Sequence, residues 1–255
     1  MSTRRYLLEL AYCGTDYAGW QRQPNALSVE ETIDTALSTM LGTPIKLVGC
    51  GRTDAGVHAE DYAAHFDFEG ELPPRLLGRL NRYLPADIAL RALHHVPESL
   101  HARFSATGRS YIYRMSLEKD PFRPNTVAWV PALGALDHRK MEEAAALLLE
   151  YSAFAPFCKT NSDAYTMNCA LTESRWEFGE RSLTYHISAN RFLRGMVRLI
   201  VGMCLRVAEG KLSLDEVRVA LDRQQRLPRP WSAPAAGLYL SRVIYLDRTS
   251  WRGVP

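Results

Sequence analysis

The chain has 255 residues, 47% of them apolar and 23% charged, with a formal net charge of +3. This is the composition of a globular protein of one large or two small domains, with ample apolar material for a core, and it excludes wholesale disorder. Five cysteines, odd in number and without a CxxC pair, fit neither a disulfide framework nor a zinc site and point to a reducing cytoplasm.

In chain order, Tyr6–Tyr12 reads as a strand that stops at the turn signal Gly14-Thr15-Asp16. Ser28 and Glu31 have the spacing of a capping box, and Gly42 closes the helix they open. A strand is expected at 45–48, followed by the glycine-rich turn 49–56 and a second strand over 62–68. Pro73 and Pro74 introduce another helix, with Leu76, Leu80 and Leu84 at helical spacing, and 88–96 returns to strand.

The second half repeats that order. Tyr111, Tyr113 and Met115 alternate along a strand, so at least one tyrosine belongs to the core. Asp137 caps a helix, and 171–178 with 183–189 form a hairpin around Gly179-Glu180. The spacing predicts a long apolar helix over 192–209, which would set Arg194 and Arg198 one turn apart. Its apolar run is too short, and carries too much arginine, to span a bilayer, and no signal peptide is expected. Ser213 and Glu216 form a second capping box, and 238–246 is the last strand. Two copies of a split βαβ arrangement follow, an α+β fold with domains at 1–105 and 106–255.

Charge divides along the same boundary. Residues 1–105 carry 10 basic against 13 acidic side chains, and residues 106–255 carry 21 against 15. Arginine supplies 26 of the 31 basic residues, and the stretch 181–208 contains five arginines and no acid. The planar guanidinium fork suits phosphate, so the second domain is a candidate nucleic-acid-binding surface; a solvated basic face is the competing reading.

The most unusual local sequence is Gly51-Arg52-Thr53-Asp54-Ala55-Gly56-Val57-His58. Glycines on both sides of one aspartate allow a sharp turn and a close approach to a ligand, and Arg52 adds a group for phosphate or carboxylate. The same residues are also ordinary turn chemistry. Walker A, HExxH and Gly-x-Ser-x-Gly sequences are absent, and the seven histidines lack metal-ligand spacing, so no metal site is expected.

That run, together with Tyr12-Cys13-Gly14-Thr15-Asp16-Tyr17-Ala18-Gly19-Trp20-Gln21, His101-Ala102-Arg103-Phe104-Ser105-Ala106, Asn190-Arg191-Phe192-Leu193-Arg194-Gly195-Met196-Val197-Arg198 and Gly237-Leu238-Tyr239-Leu240, resembles the TruA family of tRNA pseudouridine synthases. The resemblance covers nearly the whole chain in the family's order. It implies two ferredoxin-like domains whose mainly antiparallel sheets join around a central cleft, a cytoplasmic homodimer, and isomerisation of uridines 38, 39 and 40 in the tRNA anticodon stem-loop without a cofactor. It also assigns roles. Asp54 is the catalytic carboxylate, Tyr111 stacks on the target base, and Arg198 is the ion-pair partner of Asp54. Arg52 assists base flipping, and Leu238 lines the pocket. The alternatives are a non-catalytic RNA-binding protein on the same fold and a synthase with another target position.

Overall fold

The computed structural model describes residues 3–130, 135–160 and 165–254. It is a mixed α/β structure that divides into two compact units, 1–107 with 239–255, and 108–238. The expected boundary put all of 106–255 in one domain; the structure returns the last 17 residues to the first unit.

In the first unit the strands are β1 (Thr3–Tyr12), β2 (Val48–Gly49), β3 (His58–Glu69) and β4 (Ile88–Val96), with helices α1 (Val29–Leu41) and α2 (Leu76–Tyr83) between them. β1 lies between β4 and β3, antiparallel to both, and β2 pairs antiparallel with β3 through Val48↔His65 and Gly49↔Ala64. The order β4-β1-β3-β2 is that of the split βαβ unit. The outer edge of β3 is shared: its far end holds β2, and its beginning pairs in parallel with a strand from the end of the chain, His58↔Tyr239 and Ala59↔Leu240. Alternation along β1 sends Tyr6, Leu8, Leu10 and Tyr12 into the core, where α1 contributes Val29, Ile33, Ala36 and Leu37.

Of the strand expected at 45–48 only Val48 is in β2, which it forms with Gly49. Ile45 N–H donates to Ser38 Oγ (2.8 Å) and Leu47 N–H to Asp34 Oδ1 (2.9 Å), so α1 takes the donors that a ladder would need. Burial pushes the Asp34 carboxyl up to about 6. The first capping box is half formed: Ser28 Oγ accepts from Glu31 N–H (3.2 Å), while the Glu31 carboxylate pairs with Arg22 (3.1 Å). The second is complete at Ser213 and Glu216.

In the second unit β5 (Ala106–Ser116) pairs antiparallel with β8 (Ser182–Ala189), and β8 with β7 (Leu171–Phe178). The short β6 (Ala128–Trp129) runs parallel to β5 on its other edge and was not expected. Helices α3 (His138–Leu147), α4 (Met196–Ala208) and α5 (Leu214–Asp222) accompany this sheet, and α3 and α4 pack together. The last long strand, β9 (Leu238–Tyr245), and the two-residue β10 (Arg252–Gly253) on β4 complete the chain, and both belong to the first unit from Tyr239 onward. No helix among the described residues is long and apolar enough to cross a membrane.

Candidate active site

Asp54 lies on the turn between β2 and β3, half-buried, with Arg52 exposed two residues before it. Val57 N–H donates to the Asp54 carbonyl (3.2 Å), closing the turn through the backbone. A second segment, 14–20, is folded against it. Trp20 N–H donates to Thr53 O (3.3 Å), Gly56 N–H to Tyr17 O (3.2 Å), and Gly14 N–H to His58 Nδ1 (3.0 Å). Two glycines make this approach possible. A side chain at Gly14 would meet the Val57 carbonyl, and one at Gly19, where φ is +95°, would meet the Thr53 carbonyl.

Aromatic residues brace the turn from below. Tyr12 Oη and Thr53 Oγ1 share a hydrogen bond of 2.8 Å, Trp20 stacks on Tyr62 at 4.0 Å, and the Tyr62 hydroxyl donates to the Gly51 carbonyl. His58 is buried, stacks on Tyr239 at 4.6 Å and accepts through Nδ1, which makes it a structural member of the turn. Burial, and then its bond to Asp87, push the Tyr17 hydroxyl well above the usual phenol range, so it stays a donor. The segment read from sequence as a strand-ending turn is therefore half of the Asp54 site. The signal that could have revealed this is the pair Gly14 and Gly19 flanking an otherwise bulky run.

Tyr111, Arg198 and Leu238 belong to the second unit. Tyr113 is the core tyrosine of the β5 pair, fully buried, and Tyr111, two residues before it, is half-buried with its ring edge-on to Phe192 at 5.0 Å and 86°. Leu238 is buried at the end of a 3-10 turn, 235–237. The segment 233–238 links these residues. Arg198 Nε donates to Ala233 O (2.6 Å), Ala233 N–H donates to Arg198 O (3.0 Å), and the Tyr113 hydroxyl donates to Pro234 O (3.0 Å). Gly237 fits because a side chain there would meet Arg114 O at 2.6 Å and the Tyr113 ring at 2.8 Å.

One expectation needs correction. Gly195, with φ +71°, stands at the N-cap of α4, so the helix begins at Met196 and not at Phe192. Arg194 then precedes the helix and is exposed, whereas Arg198 sits in the first turns and is half-buried. The two arginines do not form a helical stripe. The left-handed residue also brings the chain against Lys159, whose N–H donates to Arg194 O (3.0 Å).

A family model for tRNA pseudouridine synthase matches residues 144–246. The chain is 44% identical over 248 residues to tRNA pseudouridine synthase A of Porphyromonas gingivalis, covering 94% of this chain and 97% of that protein. It is 43% identical to the protein of the same name from Bacteroides fragilis, over 96% and 98% of the two chains. The chain belongs to the tRNA pseudouridine synthase A family. It is thus an isomerase of a family that acts on tRNA. A relative from Chlorobaculum tepidum, 37% identical, still aligns over 96% of this chain, so the likeness takes in both units of the synthase.

Proposed function

We propose that this synthase converts uridines 38, 39 and 40 of the tRNA anticodon stem-loop to pseudouridine, with Asp54 acting at the ribose. The observation that carries the reading is the Asp54 turn. A half-buried carboxylate stands on a turn held by backbone hydrogen bonds to the 14–20 segment. A carboxylate carried on a backbone held in place is what positioned catalysis needs.

The reaction breaks the N1–C1′ bond of the uridine, turns the uracil, and joins C5 to C1′. The C5 proton is lost and N1 gains one, so atoms balance without oxidation or hydrolysis. Asp54 serves either by attacking C1′ or by taking the 2′ proton. Arg198 pairs with this carboxylate in the reading. Its Nε bond to the Ala233 carbonyl sets the plane of the guanidinium, and a planar fork matches a carboxylate. Tyr111 offers a flat ring to the base taken out of its stack, with Leu238 as apolar lining, and Arg52 assists the flip. The arginines of the second unit hold phosphates of the stem. The protein works in the cytoplasm as a homodimer and uses no cofactor.

The test is pseudouridine mapping on an unmodified tRNA with uridines at 38, 39 and 40, using wild type and Asp54→Asn. Wild type converts those positions. The variant binds the tRNA with affinity close to wild type and loses turnover by about 10²–10⁴-fold or more. Unconverted uridines with the wild-type protein, or normal turnover by the variant, would overturn the reading.

A further inference from the structure

Beside the Asp54 turn, in the same unit, the segment His101–Ser105 carries an aromatic ring into solvent: Phe104 is 75% exposed. Single exposed apolar residues are common, but this one stands on a turn in which all five backbone N–H groups are used. His101 N–H donates to Ser105 Oγ (2.9 Å) and Ala102 N–H to His65 Nδ1 (3.1 Å). Arg103 and Phe104 N–H both point to His101 Nδ1 (3.2 and 3.4 Å), and Ser105 N–H donates to His101 O (2.9 Å). From outside the turn, the Tyr245 hydroxyl donates to Ala102 O (2.6 Å), and Arg5 donates to Leu100 O (3.0 Å). Burial, and then the Arg5 charge, lower the basicity of His101, which keeps its Nδ1 an acceptor.

The ring is thus fixed in direction without being buried. The His101 ring lies 4.3 Å from it, and the Arg103 guanidinium sits 5.5 Å from its centroid. Phe104, Arg103 and His101 line a cavity of about 280 Å³. Trp20, Gly51 and Arg52 line the same cavity, so it reaches the base of the Asp54 turn. Its charged lining is two arginines and Glu30, whose carboxylate accepts from Arg22 N–H (2.8 Å). An aromatic face and two guanidinium groups together suit a nucleobase with its phosphate.

We propose that Phe104 is a stacking platform for an unpaired base of the bound RNA, with the adjoining phosphate held by Arg103 and Arg52. The base is distinct from the one that reacts at Asp54, and the platform fixes the RNA strand next to the target. This inference rests on the proposed RNA substrate.

Affinity for tRNA is measured by filter binding, and conversion by pseudouridine mapping under both subsaturating and saturating tRNA. Phe104→Ala weakens binding and raises KM by about 5- to 150-fold, the equivalent of ~1–3 kcal/mol for one stacked base, with kcat near wild type. Phe104→Trp restores both, whereas Phe104→Leu, which keeps apolar bulk without a π-face, does not. The platform is overturned if Phe104→Ala binds and turns over like wild type, or if leucine rescues as well as tryptophan. A change in sedimentation with unchanged tRNA affinity would overturn it too, because the patch would then serve contact between copies of the chain. Because binding is read separately, the platform is tested even where wild type converts no uridine; that result would sink the proposed reaction instead.

Discussion

The residues we propose for the reaction are held in two different ways. Around Asp54 the holding is done by backbone against backbone, with the 14–20 segment laid on the turn so closely that Gly14 and Gly19 have no room for a β-carbon. Around Arg198 and Leu238 side-chain tethers join one backbone bond and the close approach at Gly237: Tyr113 and Arg198 each reach out to a carbonyl of the segment 233–238. The first construction is a steric lock that a single methyl group breaks. The second adds separate tethers, each of which is worth about one hydrogen bond.

The largest difference is expected at Gly19. Gly19→Ala forces a β-carbon onto the Thr53 carbonyl at φ +95° and should cost about 2–4 kcal/mol in urea unfolding. Gly42 provides the control. It is also left-handed, at φ +68°, but has nothing within 4 Å of its missing β-carbon, so Gly42→Ala should cost only about 1 kcal/mol. Equal losses at the two sites would remove the distinction between lock and ordinary turn.

A second effect is expected from acid. His65 titrates at about 4 in the folded protein, lowered first by burial and then by the Arg5 charge, against about 6.5 in an unfolded chain. Its Nδ1 accepts from Ala102 N–H and must stay unprotonated to do so. Because the folded value is depressed, the stabilisation is complete above about pH 6.5 and is lost as pH falls toward 4. Between those limits wild type should lose up to about 2 kcal/mol more than His65→Gln, measured as urea midpoints across pH. Parallel losses would show that the imidazole is not part of the first unit's framework.

The smallest effect tests the tethers. Tyr113→Phe removes the bond to Pro234 O and should cost about 1 kcal/mol by thermal unfolding. A loss as large as that at Gly19 would mean that the second region is locked as tightly as the first.

The sequence was informative where structure is local. The caps at Ser28, Asp137 and Ser213 accept from the N3 amide as their spacing implied, and alternation in β5 identified one core tyrosine. It failed where a side chain from elsewhere claims a backbone group. Asp34 and Ser38 take the donors of 45–47, which reads as strand, and a left-handed Gly195 interrupts an apolar run that reads as continuous helix. Asp54 and Arg52 were visible as an odd turn, but not the clamp on it. The tether from Tyr113 to Pro234 spans 121 positions, and no local pattern announces it.

The strand β9 enters the first unit only at Tyr239, paired to the start of β3, and Asp61 accepts from Val243 N–H (2.8 Å) across the same edge. During synthesis, then, the first unit to leave the ribosome is the last to be finished. Until the codons for β9 are read, the leading end of β3 is an unprotected sheet edge, the kind of surface that recruits foreign strands. A chain broken between Leu238 and Tyr239 would keep the whole sequence of the second unit and leave this edge of the first without its partner strand, so the sealing of β3 depends on residues that are encoded 182 positions later.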